Sequence, residues 1–78
     1  MRSPLDQSEE ELCCELGIRA ANIRSEEAAG EFPKVVPITL ETAKGRAEDA
    51  GLPSSKLEDA AIVVLHYARR RWEEILAG

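Results

Sequence analysis

The segment KLEDAAIVVLHYARRRWEEILA, residues 56–77, constrains the fold more than any other part of the sequence. Ser55 is followed three residues later by Glu58, and this capping-box spacing predicts that a helix begins here. The apolar residues that follow recur at the 3.6-residue period of an α-helix. One face of the predicted helix carries Leu57, Ala61, Val64, Ala68, Trp72 and Ile75, and Ala60, Leu65 and Tyr67 flank it.

Two more apolar residues, Ile62 and Val63, lie outside this face, so the first half of the helix is apolar around most of its circumference. Such a helix is buried on several sides. The single core of a domain this small rarely supplies more than roughly 3–5 kcal/mol. We therefore expect the helix either to be surrounded by other helices or to contact a second chain. The second possibility predicts an interface formed by Ile62, Val63, Tyr67 and Trp72.

The first third of the chain predicts two short helices. Ser8 and Glu11 have the spacing of a capping box, which starts the first helix. We expect this helix to end near Leu16, because Gly17 suits the left-handed position that follows a helix. Alanine and other good helix formers then predict a second helix over 19–29.

The middle of the chain predicts a short extended linker around 32–38, because Pro37 cannot donate a hydrogen bond to a strand ladder. We expect the apolar side chains of this linker to pack on the helices. Thr39 can cap a third helix, and Gly51 marks its end. The sequence as a whole predicts one all-α domain over 1–78, a small bundle of three to four helices with a long C-terminal helix.

Residues capable of catalysis or metal binding do not form a recognisable set. Adjacent Cys13 and Cys14 would point about 100° apart on a helix, which is poor spacing for one metal ion. We expect Cys13 to pack as a small apolar residue and Cys14 to be partly exposed. The single histidine, His66, lies opposite the apolar face of its helix. Because phosphate-binding glycine motifs are also missing, we predict no catalytic residue, metal site or cofactor, and no enzymatic activity.

Net charge and its distribution bear on partners and location. The net charge is −5, and residues 1–40 carry four Lys/Arg against eight Asp/Glu. This balance disfavours nucleic-acid binding, whose affinity comes mostly from neutralising phosphates. The N-terminus lacks the pattern of a secretory signal, and no apolar run approaches the ~18 residues of a membrane span. We therefore expect no membrane association and a cytoplasmic location, where thiols stay reduced.

Three consecutive arginines, Arg69, Arg70 and Arg71, form the strongest local positive charge. Glu73 and Glu74 lie four residues after the first two, which favours ion pairs along the helix. We expect Arg71 to lay its stem along the core and to reach an acidic residue of the first helices. These arginines are thus predicted to act mainly in the structure.

Residues 12–25 resemble the helix-turn-helix motif of DNA-binding regulators. The resemblance implies two helices that meet at a turn, the second of which reads the major groove. It also implies that four side chains face the bases or phosphates, since arginine and asparagine read guanine and adenine. The spacing that carries the likeness is that of Leu12, Cys13, Leu16, Gly17, Ile18 and Ile23, and the implied contacts are Arg19, Asn22, Arg24 and Ser25.

Two functional hypotheses follow from these patterns. The preferred one is a non-enzymatic protein–protein interaction module that forms a homodimer through its C-terminal helix or binds another protein. The alternative is a helix-turn-helix-like DNA-binding regulator that uses residues 12–25, which the net charge of −5 disfavours.

Overall fold

Three α-helices and one short 3₁₀ turn make up the regular structure of the described residues. The computed structural model describes residues 5–27 and 37–78, and no strand is found in those two stretches. The predicted all-α fold with a long C-terminal helix is therefore confirmed. In chain order the helices are α1 (Gln7–Glu27), α2 (Leu40–Asp49) and α3 (Leu57–Ala77), with the 3₁₀ turn over Ser54–Lys56.

The two short helices predicted at the front of the chain form one continuous helix, α1. The predicted end near Leu16 is therefore wrong, and Gly17 lies buried inside the helix. Good helix formers continue on both sides of this glycine, and a glycine inside a helix costs only about 1 kcal/mol relative to alanine. The absence of a side chain lets Gly17 pack closely against α3.

A capping box does open α1, but two residues earlier than predicted. The backbone N–H of Glu9 donates to Asp6 Oδ1 at 2.8 Å, and the backbone N–H of Asp6 donates to Glu9 Oε1 at 3.0 Å. Aspartate is as good an N-cap as serine. A helix that begins after Asp6 also leaves Leu5 buried at its entry. Ser8 and Glu11 consequently lie within the helix.

Both predicted ends of α2 are confirmed. Thr39 Oγ1 accepts the backbone N–H of Thr42 at 3.2 Å, which caps the first turn. At the other end Gly51 has φ of +96°, a left-handed conformation that favours glycine. The backbone N–H of Leu52 donates to the carbonyl of Ala47 at 3.2 Å, as in a Schellman motif.

The predicted capping box of Ser55 and Glu58 is absent. Instead, a 3₁₀ turn precedes α3, and the backbone N–H of Lys56 donates to the carbonyl of Pro53 at 2.9 Å. Ser55 lies inside this turn, so its hydroxyl does not occupy the capping position. In the linker, Ile38 is buried as expected, whereas residues 32–36 lie outside the described part of the chain.

Helices α1 and α3 run parallel to each other, and their contacts are the most extensive in the fold. Glu9 near the start of α1 pairs with Lys56 just before α3, with Oε1 and Nζ 2.8 Å apart. Gly17 adjoins the middle of α3, and Asn22 accepts a hydrogen bond from Arg71 farther along. Residue numbers therefore increase in the same direction along both helices. The tight turn after α2 makes that helix antiparallel to α3.

The core consists mainly of small side chains. Among the described residues, Cys13 and Val64 are its largest fully buried side chains, and Trp72, 6% exposed, is its one aromatic. Small residues allow the helix backbones to approach closely, but they leave little room for long aliphatic chains. The buried residues on the three helices are Cys13, Gly17, Ala21, Ala43, Ala47, Ala60, Ala61, Val64, Ala68 and Trp72.

The ion pair between Glu9 and Lys56 makes the stability of the fold depend on pH. The carboxyl of Glu9 accepts a hydrogen bond from Lys56 and a second one from the backbone N–H of Asp6. The first bond, and to a smaller extent the second, holds the pKa of this carboxyl below its ordinary value of 4.5. The first bond also raises the pKa of the Lys56 amine. A carboxyl whose pKa is lowered by folding stabilises the folded state at pH values above its ordinary pKa. That contribution is lost as the pH falls through the folded-state pKa.

We therefore expect Glu9→Gln to lower the free energy of unfolding at neutral pH and to have no effect once the pH lies below the folded-state pKa of Glu9. On the alkaline side, the contribution of the raised Lys56 pKa disappears as the pH rises through it. Urea unfolding of wild type and variant across this range measures the difference. Glu10→Gln, which removes the same charge from an exposed neighbour, is the control. Equal effects of both variants at every pH would contradict the role of the pair.

Candidate functional site

The four residues predicted to form an interface on α3 do not share one surface. Ile62 is 60% exposed on the outer side of the helix, whereas Val63 and Tyr67 are half-buried. Trp72 is 6% exposed and belongs to the core, so its assignment to an interface is corrected. It follows Val64 and Ala68 at four-residue intervals, and this row of α3 points inward between the helices.

A groove opens at the surface between α1 and α3. Cys14 and Tyr67 are half-buried in it, and Ile18 is 37% exposed. The sequence did not identify Cys14 and Ile18 as a pair, because the expected turn at Gly17 separated them. The groove has a volume of about 160 Å³, and the residues that line it are Cys14, Ile18, Tyr67, Arg70, Arg71 and Glu74. We call it the α1–α3 groove.

The aromatic ring of Tyr67 is held between two polar groups. The guanidinium carbon of Arg70 lies 6.0 Å from the ring centroid, at the outer limit of a cation–π contact. The exposed His66 meets the same ring edge-on, with centroids 5.3 Å apart. Tyr67 therefore presents an apolar surface in a position that its neighbours help to fix.

Arg71 is half-buried and links the two helices. Its Nε donates to Asn22 Oδ1 at 2.8 Å, and its Nη1 lies 3.3 Å from Glu74 Oε1. The prediction that its head reaches toward the first helix is confirmed, but the partner there is an amide rather than an acidic residue. Arg69 and Arg70 are exposed. The arginine run thus contributes one structural residue and two that face solvent.

Residues 12–25 contain no turn, because all of them lie within α1. The four residues implied by the helix-turn-helix resemblance therefore do not form a single DNA-reading face, and that expectation is corrected. Asn22 accepts from Arg71 through its side chain, and its backbone carbonyl accepts from Ser25 Oγ at 2.9 Å. Arg24 is half-buried and lines a separate depression toward α2, whereas Arg19 is exposed. These side chains point in different directions around the helix.

The two cysteines differ as predicted. Cys13 is fully buried and Cys14 is half-buried. Burial raises the pKa of the Cys13 thiol, and the carboxylates of Glu9 and Glu10 raise it further. Cys13 therefore stays protonated, a state in which a thiol is a poor nucleophile.

No group of three or more His, Cys, Asp or Glu side chains in the described part of the chain is placed to hold a metal ion. None of the described helices combines the length and the apolar character that crossing a membrane requires.

Charge is distributed unevenly between the two helices of the α1–α3 groove. Residues 6–15 of α1 and its cap carry five carboxylates and no Lys or Arg. Glu11 and Glu15 are exposed, but neither lines the groove, and Glu15 lies in a separate depression with Ile18, Arg19 and Asn22. The charged residues that line the groove all come from α3 and are Arg70, Arg71 and Glu74. The sequence could not reveal this arrangement, because it depends on the parallel packing of two distant segments.

Comparisons of this chain with protein-family models, with curated proteins and with solved structures found no match.

Proposed function

We propose that this chain is a non-enzymatic protein–protein interaction module that self-associates through α3 and the groove that α3 forms with α1. The observation that carries the proposal is the α1–α3 groove, in which Cys14, Ile18 and Tyr67 bring apolar surface from two helices together. Single exposed aliphatic side chains are ordinary on soluble proteins. Apolar side chains of two helices that meet in a groove instead offer a partner one shared contact surface.

The composition of the core supports the same proposal. Because the helices pack through alanine, glycine and cysteine, several large aliphatic side chains remain at the surface. Domains of this size often gain stability from a second subunit. Burial of apolar surface in an interface contributes roughly 25 cal/mol per Å² before the costs of association. The exposed large aliphatic residues are Ile18, Ile23, Leu40, Ile62 and Leu76.

The polar rim of the groove is suited to binding. Tyrosine and arginine are enriched among the residues that dominate interface energies. Tyr67 is contacted by Arg70, and Arg71 is fixed by Asn22 and Glu74. Side chains that are already held in place lose less conformational entropy when a partner binds. The groove therefore offers anchors with a low ordering cost.

Sedimentation equilibrium tests the proposal. Between about 1 µM and about 1 mM, a range that covers weak to moderate affinities, we expect the average mass to rise from the 8.6 kDa of the monomer toward that of a dimer. Tyr67→Ala should shift this rise to higher concentration, because it removes the aromatic wall of the groove. Glu73→Ala, an exposed residue of α3 outside the groove lining, is the matched control. A wild-type chain that remains monomeric throughout would contradict self-association.

A further inference from the structure

We infer that α2 is a cover on α3 that opens as a unit while α1 and α3 stay packed together. This inference goes beyond the proposed function and holds for the single chain, whether or not two chains associate. It is carried by the contrast between the contacts that hold α2 on α3 and the more extensive contacts that hold α1 there.

Helix α2 is held to the rest of the described chain by small contacts. Its buried side chains are Ala43 and Ala47, each of which removes only one methyl group from water. Within the described residues, one ion pair joins a side chain of α2 to α3, with Lys44 Nζ and Glu58 Oε1 3.8 Å apart. These side chains are 42% and 84% exposed, and exposed ion pairs add little to stability.

The helix also has little stability of its own. It spans ten residues, Leu40–Asp49, whereas isolated helices shorter than about 12–15 residues are marginal in water. Gly45 lies inside it on the exposed side, and glycine is a poorer helix former than alanine. The larger buried residues nearby, Ile38 and Leu52, lie outside the helix, one beyond each end. They anchor the two connections, so opening is confined to the segment between them.

Helix α1 is attached to α3 at three levels that do not involve α2. Glu9 pairs with Lys56 at 2.8 Å, Gly17 packs against the backbone of α3, and Asn22 accepts from Arg71 at 2.8 Å. Helix α1 contacts α2 itself only slightly. The departure of α2 therefore leaves the attachments between α1 and α3 intact, which is the condition for opening as a separate unit.

Opening of α2 uncovers one side of α3. Glu58, the partner of Lys44, marks the side that α2 covers. Residues about one and two turns after Glu58 lie on the same side of the helix, and they are the fully buried Ala61 and the half-buried Leu65. The residues that line the α1–α3 groove belong to those two helices, so the groove persists when α2 opens. The open state thus adds a second apolar surface that α2 closes in the folded structure.

Hydrogen exchange of the wild-type chain under native conditions, followed by mass spectrometry at micromolar concentration, tests the inference. Relative to their intrinsic rates, the amides of α2 should exchange at least about tenfold faster than the slowest amides of α1 and α3. Low concentrations of urea should accelerate exchange less in α2 than in α1 and α3, because opening α2 exposes less surface than global unfolding does. Equal protection and equal urea dependence in all three helices would overturn the inference, since α2 would then open only when the whole chain unfolds.

Two glycine variants separate the opening of α2 from the unfolding of the α1–α3 pair. Gly17→Ala crowds α1 against α3, so it should accelerate exchange in those helices by about thirtyfold and leave α2 within about twofold of wild type. Gly45→Ala favours the helical state of α2, so it should slow exchange there by about fivefold. The urea series on the wild type needs no variant, so it decides the question even if Gly17→Ala does not fold. Equal acceleration of all three helices by Gly17→Ala, or unchanged exchange of α2 in Gly45→Ala, would overturn the inference.

Discussion

Trp72→Ala is expected to leave a large fraction of the protein unfolded at room temperature. Trp72 is 6% exposed, and among the described residues it is the one aromatic side chain of the core. Replacing a buried tryptophan by alanine costs about 3–5 kcal/mol, which equals the roughly 3–5 kcal/mol that a core of this size supplies. Far-UV circular dichroism, which does not depend on tryptophan fluorescence, measures the loss of helix.

The same substitution separates two roles for this residue. If Trp72 served mainly in an interface, as the sequence pattern predicted, Trp72→Ala would fold normally and lose only self-association. Tyr67→Ala is the comparison, because Tyr67 is half-buried in the groove and its truncation should weaken association while the helices persist. Trp72→Phe should retain the fold with reduced stability, since it keeps much of the buried volume. A cooperatively melting, fully helical Trp72→Ala protein would contradict the core assignment.

Sequence patterns were sufficient to predict those features of the fold that depend only on neighbouring residues. The apolar period of α3 predicted its length and its inward face, and Thr39 and Gly51 predicted the two ends of α2. Each of these depends on residues within a turn or two of the feature. The Schellman motif after α2, for example, needs only Gly51 and its immediate neighbours.

The error at Gly17 shows where local signals fail. Gly17 and Gly51 are both followed by a large aliphatic residue, which made both look like helix ends. After Gly51 comes Leu52 and then Pro53, and a proline disfavours continuation of the helix. After Gly17 come residues that favour helix, so the chain continues through it. The contact that buries Gly17 is made with α3, which no local pattern contains.

The candidate site was less predictable than the fold, because it is assembled from separate segments. Cys14 and Ile18 share a face only when α1 is continuous, and Tyr67 and Arg70 reach them only when α3 runs parallel to α1. Of the residues proposed from sequence for an interface, Tyr67 lines the groove and Trp72 does not. Helix periodicity places a residue on a face, but the partner of that face is a property of the tertiary fold.

Substitutions at Gly17 are expected to destabilise the protein because α3 leaves no room for a side chain. A Cβ atom added at Gly17 would lie 2.9 Å from the backbone nitrogen of Ala68, 3.0 Å from Tyr67 Cβ, and closer still to the carbonyl oxygen of Val64. Two of these atoms belong to the backbone of α3, so relief requires the helices to separate. Overpacking of this kind costs about 1–3 kcal/mol, against about 1 kcal/mol gained in helix propensity. Because α3 presents backbone atoms at these distances, the upper end of that range applies, and we expect Gly17→Ala to lower the free energy of unfolding by a net amount of about 2 kcal/mol.

Gly45→Ala is the matched control, because Gly45 lies on the exposed side of α2 and nothing lies within 4 Å of a Cβ atom built there. At that position only helix propensity changes, so we expect a gain of about 1 kcal/mol. Urea unfolding of the two variants should thus give effects of opposite sign. Equal signs would contradict the close contact between α1 and α3.

Asparagine substitutions distinguish a packed helical glycine from a glycine in a turn. In a left-handed turn, asparagine is tolerated better than alanine. At Gly51, with φ of +96° and open space around it, Gly51→Asn should therefore be milder than Gly51→Ala. At Gly17 the order should reverse, because asparagine is larger and the neighbouring backbone of α3 is the obstacle. If Gly17→Asn were instead milder than Gly17→Ala, Gly17 would lie in a turn, and the continuous α1 on which the groove depends would be wrong.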